Sequence, residues 1–181
     1  MKSLNPAEVQ YRPARSSGEL EQILALQRIN LKGTLPPEEE RQEGFVTLTH
    51  SLPLLQLMQE ACPQVVALWD NRVVGYALCL HPDLQDQVPA LGPMFACIRE
   101  QINAPKAYRV MGQVCVAREA RGTGVFRAMY ACLKQQCAPL PLITEVSDAN
   151  RHSLGAHLAI GFRELAVHQE GDTLWHVVIW P

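Results

Sequence analysis

Four consecutive residues, Arg121, Gly122, Thr123 and Gly124, stand between a valine-rich run, VMGQVCVA, and a stretch, VFRAMYACL, whose apolar positions recur at helical spacing. Glycines at the turn into a helix let a ligand come close to the backbone. The helix N-terminus behind them presents unpaired N–H groups and the positive end of the helix dipole. Together these make a cradle for an anion, and Arg118, Arg121 and Arg127 add local positive charge that suits a polyphosphate. Two common phosphate motifs are excluded. Arg127 occupies the third glycine position of the dinucleotide fingerprint, and no Gly-Lys-Ser/Thr occurs. Gly-Thr-Gly alone is a weak signal, since a glycine turn before a helix is more often only structural.

Other reactive side chains show less pattern. The six cysteines, Cys62, Cys79, Cys97, Cys115, Cys132 and Cys137, lie mostly in apolar segments, and none has the C-x2-C spacing of zinc or redox sites. They read as small buried hydrophobes in a reducing cell. His50, His81, His168 and His176 lack metal-ligand spacing, so no metal is expected.

The elements that must position the turn follow from periodicity. Gln10 to Pro13 reads as a short strand, with Ser16 or Ser17 capping a helix through Leu20, Ile23, Leu24 and Leu26. PEEERQEGF carries its acids at the front, as a helix N-terminus prefers, and Ser51 with Pro53 starts another helix through Leu54, Leu55, Met58 and Ala61. Val65 to Trp69 and Val73 to Leu80 are strands joined by the hairpin signal Asp-Asn-Arg. Residues 81 to 107 are broken by Pro82, Pro89, Pro93 and Pro105 around a short helix from Met94 to Ile102. Tyr108 to Ala117 is a strand, Thr123 to Gln136 a helix, Leu142 to Val146 a strand and Asn150 to Ile160 a helix. Strands at Phe162 to His168 and Leu174 to Trp180 close the chain. The order is β, α, α, four strands interrupted by a loop, α, β, α, β, β, an α/β arrangement with a mixed sheet.

At 181 residues, 48% apolar and 19% charged, the chain is expected to fold as one domain over residues 1–181. A net charge of -2 with no Lys/Arg run argues against nucleic acid as a partner. No apolar run approaches the roughly 20 residues of a membrane helix. The N-terminus lacks the apolar core of a secretory signal, so cytoplasm is the expected compartment and a monomer or homodimer the expected state.

In its turn and flanking elements the chain resembles the GNAT superfamily of N-acetyltransferases. That family's pyrophosphate loop follows the fourth strand and reads Arg or Gln, two residues, Gly, one residue, then Gly or Ala. Here it is Arg121-Gly122-Thr123-Gly124-Val125-Phe126, departing at Phe126. A second block, EVSDANRHSLGAHLAIGF over residues 145 to 162, is similar to the family's fifth strand and following helix, and a weaker likeness covers QVVALWDNRVVGYALCL. The resemblance thus spans about residues 65 to 180. It implies the GNAT fold, a mostly antiparallel mixed sheet with splayed strands 4 and 5 flanked by helices. It further implies acetyl-CoA as cosubstrate and direct transfer to an amine. The alternative is a non-catalytic acyl-CoA-binding or regulatory module, opened by Phe126 and by a missing Tyr.

The resemblance also implies roles. In the family's ribosomal-protein Nα-acetyltransferases a strand 5 Glu, five residues before the Asn that starts the helix, is the base, and Glu145 stands five before Asn150. The competing reading of Glu145 is an ion-paired or solvent-facing strand residue. The family's acid is a Tyr seven residues after that Asn, where this chain has His157. His157 is then a donor to the thiolate, or a satisfied helix histidine beside Phe162. Val114 and Val116 are expected to pair with pantetheine in β fashion, with the N–H near Val116 as oxyanion donor. Asn150 and Ser153 reach the pantetheine or phosphate arm, or Asn150 simply caps its helix. Tyr130 is a second acid candidate or a packing residue. Cys115, beside the acyl site, raises a covalent acetyl-cysteine relay, against which a structural cysteine is the plainer reading. The acceptor is a small-molecule or peptide amine. Glu38, Glu39, Glu40 and Glu43 would attract a cationic one or form a solvated helix face.

Overall fold

The computed structural model describes residues 4–102 and 107–181; Pro105, read above as a breaker, and the first residues of the N-terminal stretch lie outside them. The strands are β1 Gln10–Pro13, β2 Val65–Trp69, β3 Arg72–Leu80, β4 Arg109–Val116, β5 Leu142–Ser147, β6 Arg163–Glu170 and β7 Thr173–Trp180. The helices are α1 Ser17–Ile29, α2 Pro37–Glu43, α3 Leu52–Ala61, α4 Gly92–Gln101, α5 Val125–Cys137 and α6 Arg151–Ala159. Three helices, rather than two, separate β1 from β2. Three strands, rather than four, lie between α3 and α5, because the proline-rich stretch makes 3-10 turns and α4.

Local chemistry explains the boundaries. Ser16 Oγ accepts the Glu19 N–H at 3.3 Å and Ser51 Oγ that of Leu54 at 3.3 Å, so each caps its helix. Glu19 in turn receives Arg12 Nη2 and the Arg15 N–H, both at 2.7 Å, which ties β1 to the start of α1. Asp70 and Asn71 take φ of 51° and 59°, the left-handed pair that a two-residue hairpin turn requires.

All seven strands form one sheet in the order β1-β2-β3-β4-β5-β7-β6. Every neighbouring pair is antiparallel except β4 with β5. Alternation along the strands assigns its two faces. A Cβ on Gly75 would stand 3.0 Å from Met129 of α5, so Tyr76, one residue on, points to the opposite face, where α1 packs. On β7, Trp180 packs against Tyr130 of α5. Trp175 and Val177, of opposite parity, therefore share the other face with Ser147 and Glu145, their partners on β5. A continuous hydrophobic cluster runs through both layers, from Leu20 and Ile23 to Met129, Leu133 and Phe162. Among the described residues no helix is long and apolar enough to cross a membrane.

Candidate active site

The site originates in a failure of strand pairing. β4 and β5 are in register only at Arg109↔Leu142 and Val110↔Ile143, after which their facing edges diverge. Two adjoining cavities fill the opening. The larger, about 650 Å3, is bordered by Val114, Cys115, Val116 and Phe126, by Gly122 and Gly124 of the turn, and by Ser153 of α6. The smaller, about 70 Å3, continues past Val114, Asn150 and Ser153 to Gln113, Glu145 and Trp175. On β4 the Ala117 N–H bonds Val74 O of β3 at 2.8 Å, so by alternation the N–H groups of Val116 and Val114 point away from β3, into the opening.

At the other end of the larger cavity Gly122 and Gly124 hold φ of 70° and 87°, conformations that side chains disfavour. A Cβ on either would meet nothing within 4 Å. The first hydrogen bond of α5 runs from the Ala128 N–H to Gly124 O at 3.1 Å, leaving the amides of Val125, Phe126 and Arg127 ahead of it without an intrahelical acceptor. The turn is therefore an open cradle of donors with room for an anion. Thr123 is occupied within it, its hydroxyl donating to Ala120 O at 2.6 Å.

Arg121 serves the frame of the site. Its guanidinium donates to Val116 O at 3.1 Å, Asn30 Oδ1 at 2.6 Å and Glu43 at 3.1 Å, joining β4, the end of α1 and the end of α2. Asn150 is likewise engaged. Its Oδ1 caps α6 through the Ser153 N–H at 3.4 Å and its Nδ2 donates to Phe45 O at 2.9 Å, so the capping alternative describes its side chain. The acids of α2 all have partners in the protein: Glu38 with Arg41, Glu39 with Arg118, Glu40 with the Gly33 N–H, and Glu43 with Arg121.

The expected catalytic pair is brought to the wall of the small cavity, with different freedoms. Glu145 is 9% exposed, and burial raises its pKa against the opposing pull of His168, whose Nε2 lies 2.8 Å from Oε2. His157 is 1% exposed among Phe126, Tyr130 and Phe162, and burial lowers its pKa to about 4. Its Nδ1 lies 2.7 Å from Ser153 O and so carries the single proton. Its bare Nε2 then accepts from the Tyr130 hydroxyl at 2.6 Å. Neither nitrogen has a proton to spare for a leaving thiolate, and Tyr130, itself buried, has already given its hydroxyl proton a partner. The satisfied-histidine alternative is the one this geometry describes. Cys115 is buried, its thiol pushed up to about 12 by burial.

Sequence reasoning passed over three contributors. His168 and Trp175 reach the site only because β6 and β7 fold back beside β5, a register that no local spacing announces. Gln113 is held by a buried chain in which Tyr76 Oη and Gln27 Nε2 each donate to its Oε1 at 2.6 Å, while its own Nε2 donates to Leu48 O at 2.9 Å.

Solved structures share this fold. The chain is similar to the phosphinothricin acetyltransferase of Sinorhizobium meliloti, solved with acetyl-CoA, at 19% identity and TM-score 0.63, over 96% of this chain and 88% of that one. It is similar to diaminobutyrate acetyltransferase of Paenibacillus lautus, solved with L-2,4-diaminobutyric acid and coenzyme A, at 18% identity and TM-score 0.62, covering 96% and 95%. The ribosomal-protein-S18-alanine N-acetyltransferase of Escherichia coli matches at 10% identity and TM-score 0.64, covering 96% and 93%. No curated protein sequence matches the chain. Residues 31–162, which include the turn, the diverging strands and α6, match the Acetyltransferase (GNAT) family, and the chain belongs to that family.

Proposed function

We propose that this protein binds acetyl-CoA in the β4/β5 opening and transfers the acetyl group directly to a primary amine. The observation that carries this reading is the continuity of the opening. One cavity runs from the free amides at the start of α5, past the outward-facing N–H groups of Val114 and Val116, to a second cavity bordered by Glu145. The pyrophosphate lies on the amides of Gly124 to Arg127, and the pantetheine arm pairs with the β4 edge as an added strand. Complexes of similar folds with acetyl-CoA and coenzyme A support the ligand.

Glu145 takes a proton from the acceptor ammonium, and the freed amine attacks the thioester carbonyl. The Val116 N–H donates to the oxyanion, and collapse breaks the C–S bond while the nitrogen loses its second proton to water. A thiol has a pKa of about 8.5, so the sulfur can depart as thiolate without a dedicated acid. His157 and Tyr130 then serve as packing that sets Phe126 against the cleft.

The test is a thiol-release screen of acetyl-CoA against peptide N-termini, lysine side chains, polyamines and free amino acids. Turnover above acetyl-CoA hydrolysis with one class supports the reading and names the acceptor. Thermal stabilisation by acetyl-CoA with no turnover would instead identify a non-catalytic acyl-CoA-binding module.

A further inference from the structure

His168 has no place in the scheme above, yet it is the group nearest the proposed base. It lies on β6 opposite Trp175 of β7, and Trp175 lies opposite Ser147 of β5, so the imidazole reaches over β7 to Glu145. The Nε2 to Oε2 distance is 2.8 Å, with His168 12% and Glu145 9% exposed. The ring stacks on the Trp175 indole with centroids 6.5 Å apart and planes 11° apart, which fixes its orientation. Its second nitrogen, Nδ1, is buried without a hydrogen-bond partner among the described residues. A proton on Nδ1 would be an orphaned donor, whereas a proton on Nε2 lies against a carboxylate. The tautomer with Nε2–H is therefore the one that this site accommodates. Glu145 Oε2 is held by that bond, and Oε1 is left for the acceptor.

We propose that His168 is the positioning residue for Glu145, donating Nε2–H to one carboxylate oxygen so that the other is aimed and kept ionised for the acceptor's proton. The proposal rests on Glu145 being the base, as argued above. Other groups also bear on the pair. Glu170 on β6 raises the proton affinity of Glu145; on α4, the Cys97 thiol is pushed up by burial and then by neighbouring Glu100 and Glu145. The faces that β5 and β7 turn toward the pair carry Ser147, Trp175 and Val177, none of which ionises.

The coupling can be read without turnover, from the carboxyl 13C resonance of Glu145 against pH, identified by its loss in Glu145→Gln. Because the bond stabilises the ionised form, His168→Ala should move the midpoint up by about one pH unit or more. His168→Gln keeps a neutral N–H donor and should return the midpoint to within a few tenths of wild type. If His168→Ala does not fold, a near-wild-type midpoint in His168→Gln supports the proposal and a raised one overturns it. With the amine found in the screen, the acid limb of kcat/KM should move in the same order. An unchanged midpoint in folded His168→Ala overturns the proposal, as does a limb that stays fixed while the midpoint moves. Full activity in Glu145→Gln would remove the base itself, a failure of the functional reading separate from any failure of the coupling.

Discussion

In the proposed reaction Glu145 is the base, and its burial sets the sign of the pH dependence expected of it. Desolvation lifts its pKa above the ordinary carboxylate value, so the competent ionised form is lost as pH falls through that raised value, and the rate should fall with it. Glu145→Gln is expected to lower kcat/KM by roughly 10²-fold or more with little change in acetyl-CoA affinity. The deficit should shrink toward high pH, where the acceptor is already neutral; a pH-independent deficit would make Glu145 merely structural. Cys115 gives the complementary expectation. A thiol held near 12 offers almost no thiolate at neutral pH, so Cys115→Ala should keep most activity. Intact-mass measurement should then find no stoichiometric acetyl adduct on the wild type treated with acetyl-CoA alone. The resemblance drew attention to Glu145 because its spacing from Asn150 is local, and the fold brings it to the small cavity. His168 was not legible in the sequence, because its place beside Glu145 depends on two long-range strand registers, and the engagement of His157 Nε2 likewise depends on Tyr130 from another helix.

At the scale of elements, every strand and the helices that flank the site were legible, from apolar runs or periodicity bounded by caps and turns. β1 and β2 span the residues read for them, Gln10–Pro13 and Val65–Trp69, and the Asp70-Asn71 turn falls where the dipeptide signals it. The stretch from residue 81 was least legible, because its prolines make short 3-10 turns that carry no periodic signature. What no local pattern shows is how the segment before α3 crosses the cleft. It is held by Asn150, whose Nδ2 bonds Phe45 O, and by close packing of Gly44, where a Cβ would stand 2.9 Å from Asn150 Oδ1. The two functions of Asn150 are separable. Asn150→Ala loses both the cap and the clamp and should destabilise by about 1–2 kcal/mol in denaturant unfolding. Asn150→Asp keeps a capping oxygen and should recover most of that stability, yet still raise KM for acetyl-CoA because Phe45 is no longer held. Equal acetyl-CoA KM in Asn150→Asp and wild type would mean that the segment needs no such clamp.

Taken whole, the sheet is two halves that meet at a short parallel contact, β1 to β4 on one side and β5 to β7 on the other. Among the described residues, side-chain hydrogen bonds also cross the opening beyond that contact. Asn150 to Phe45 is one, and the α2–α6 packing carries another between His152 and the Gln42 carbonyl. A ligand that fills the 650 Å3 cavity touches both halves and binds only when they are assembled, so it should stabilise the folded state by mass action. At 100-fold excess over Kd that contributes about 2.7 kcal/mol. For a chain of this size it corresponds to a rise in Tm of roughly 5–10 °C. Gly124→Val separates this from general stability. Valine at φ of 87° is strained, so the unliganded variant should melt lower. A Cβ there meets nothing in the protein within 4 Å and Gly124 borders the large cavity, so the added side chain is expected to crowd the space assigned to the pyrophosphate. The expected result is a folded variant whose Tm no longer responds to acetyl-CoA, measured against wild type by differential scanning fluorimetry. A folded Gly124→Val protein with the full wild-type shift would place the phosphates somewhere other than the start of α5.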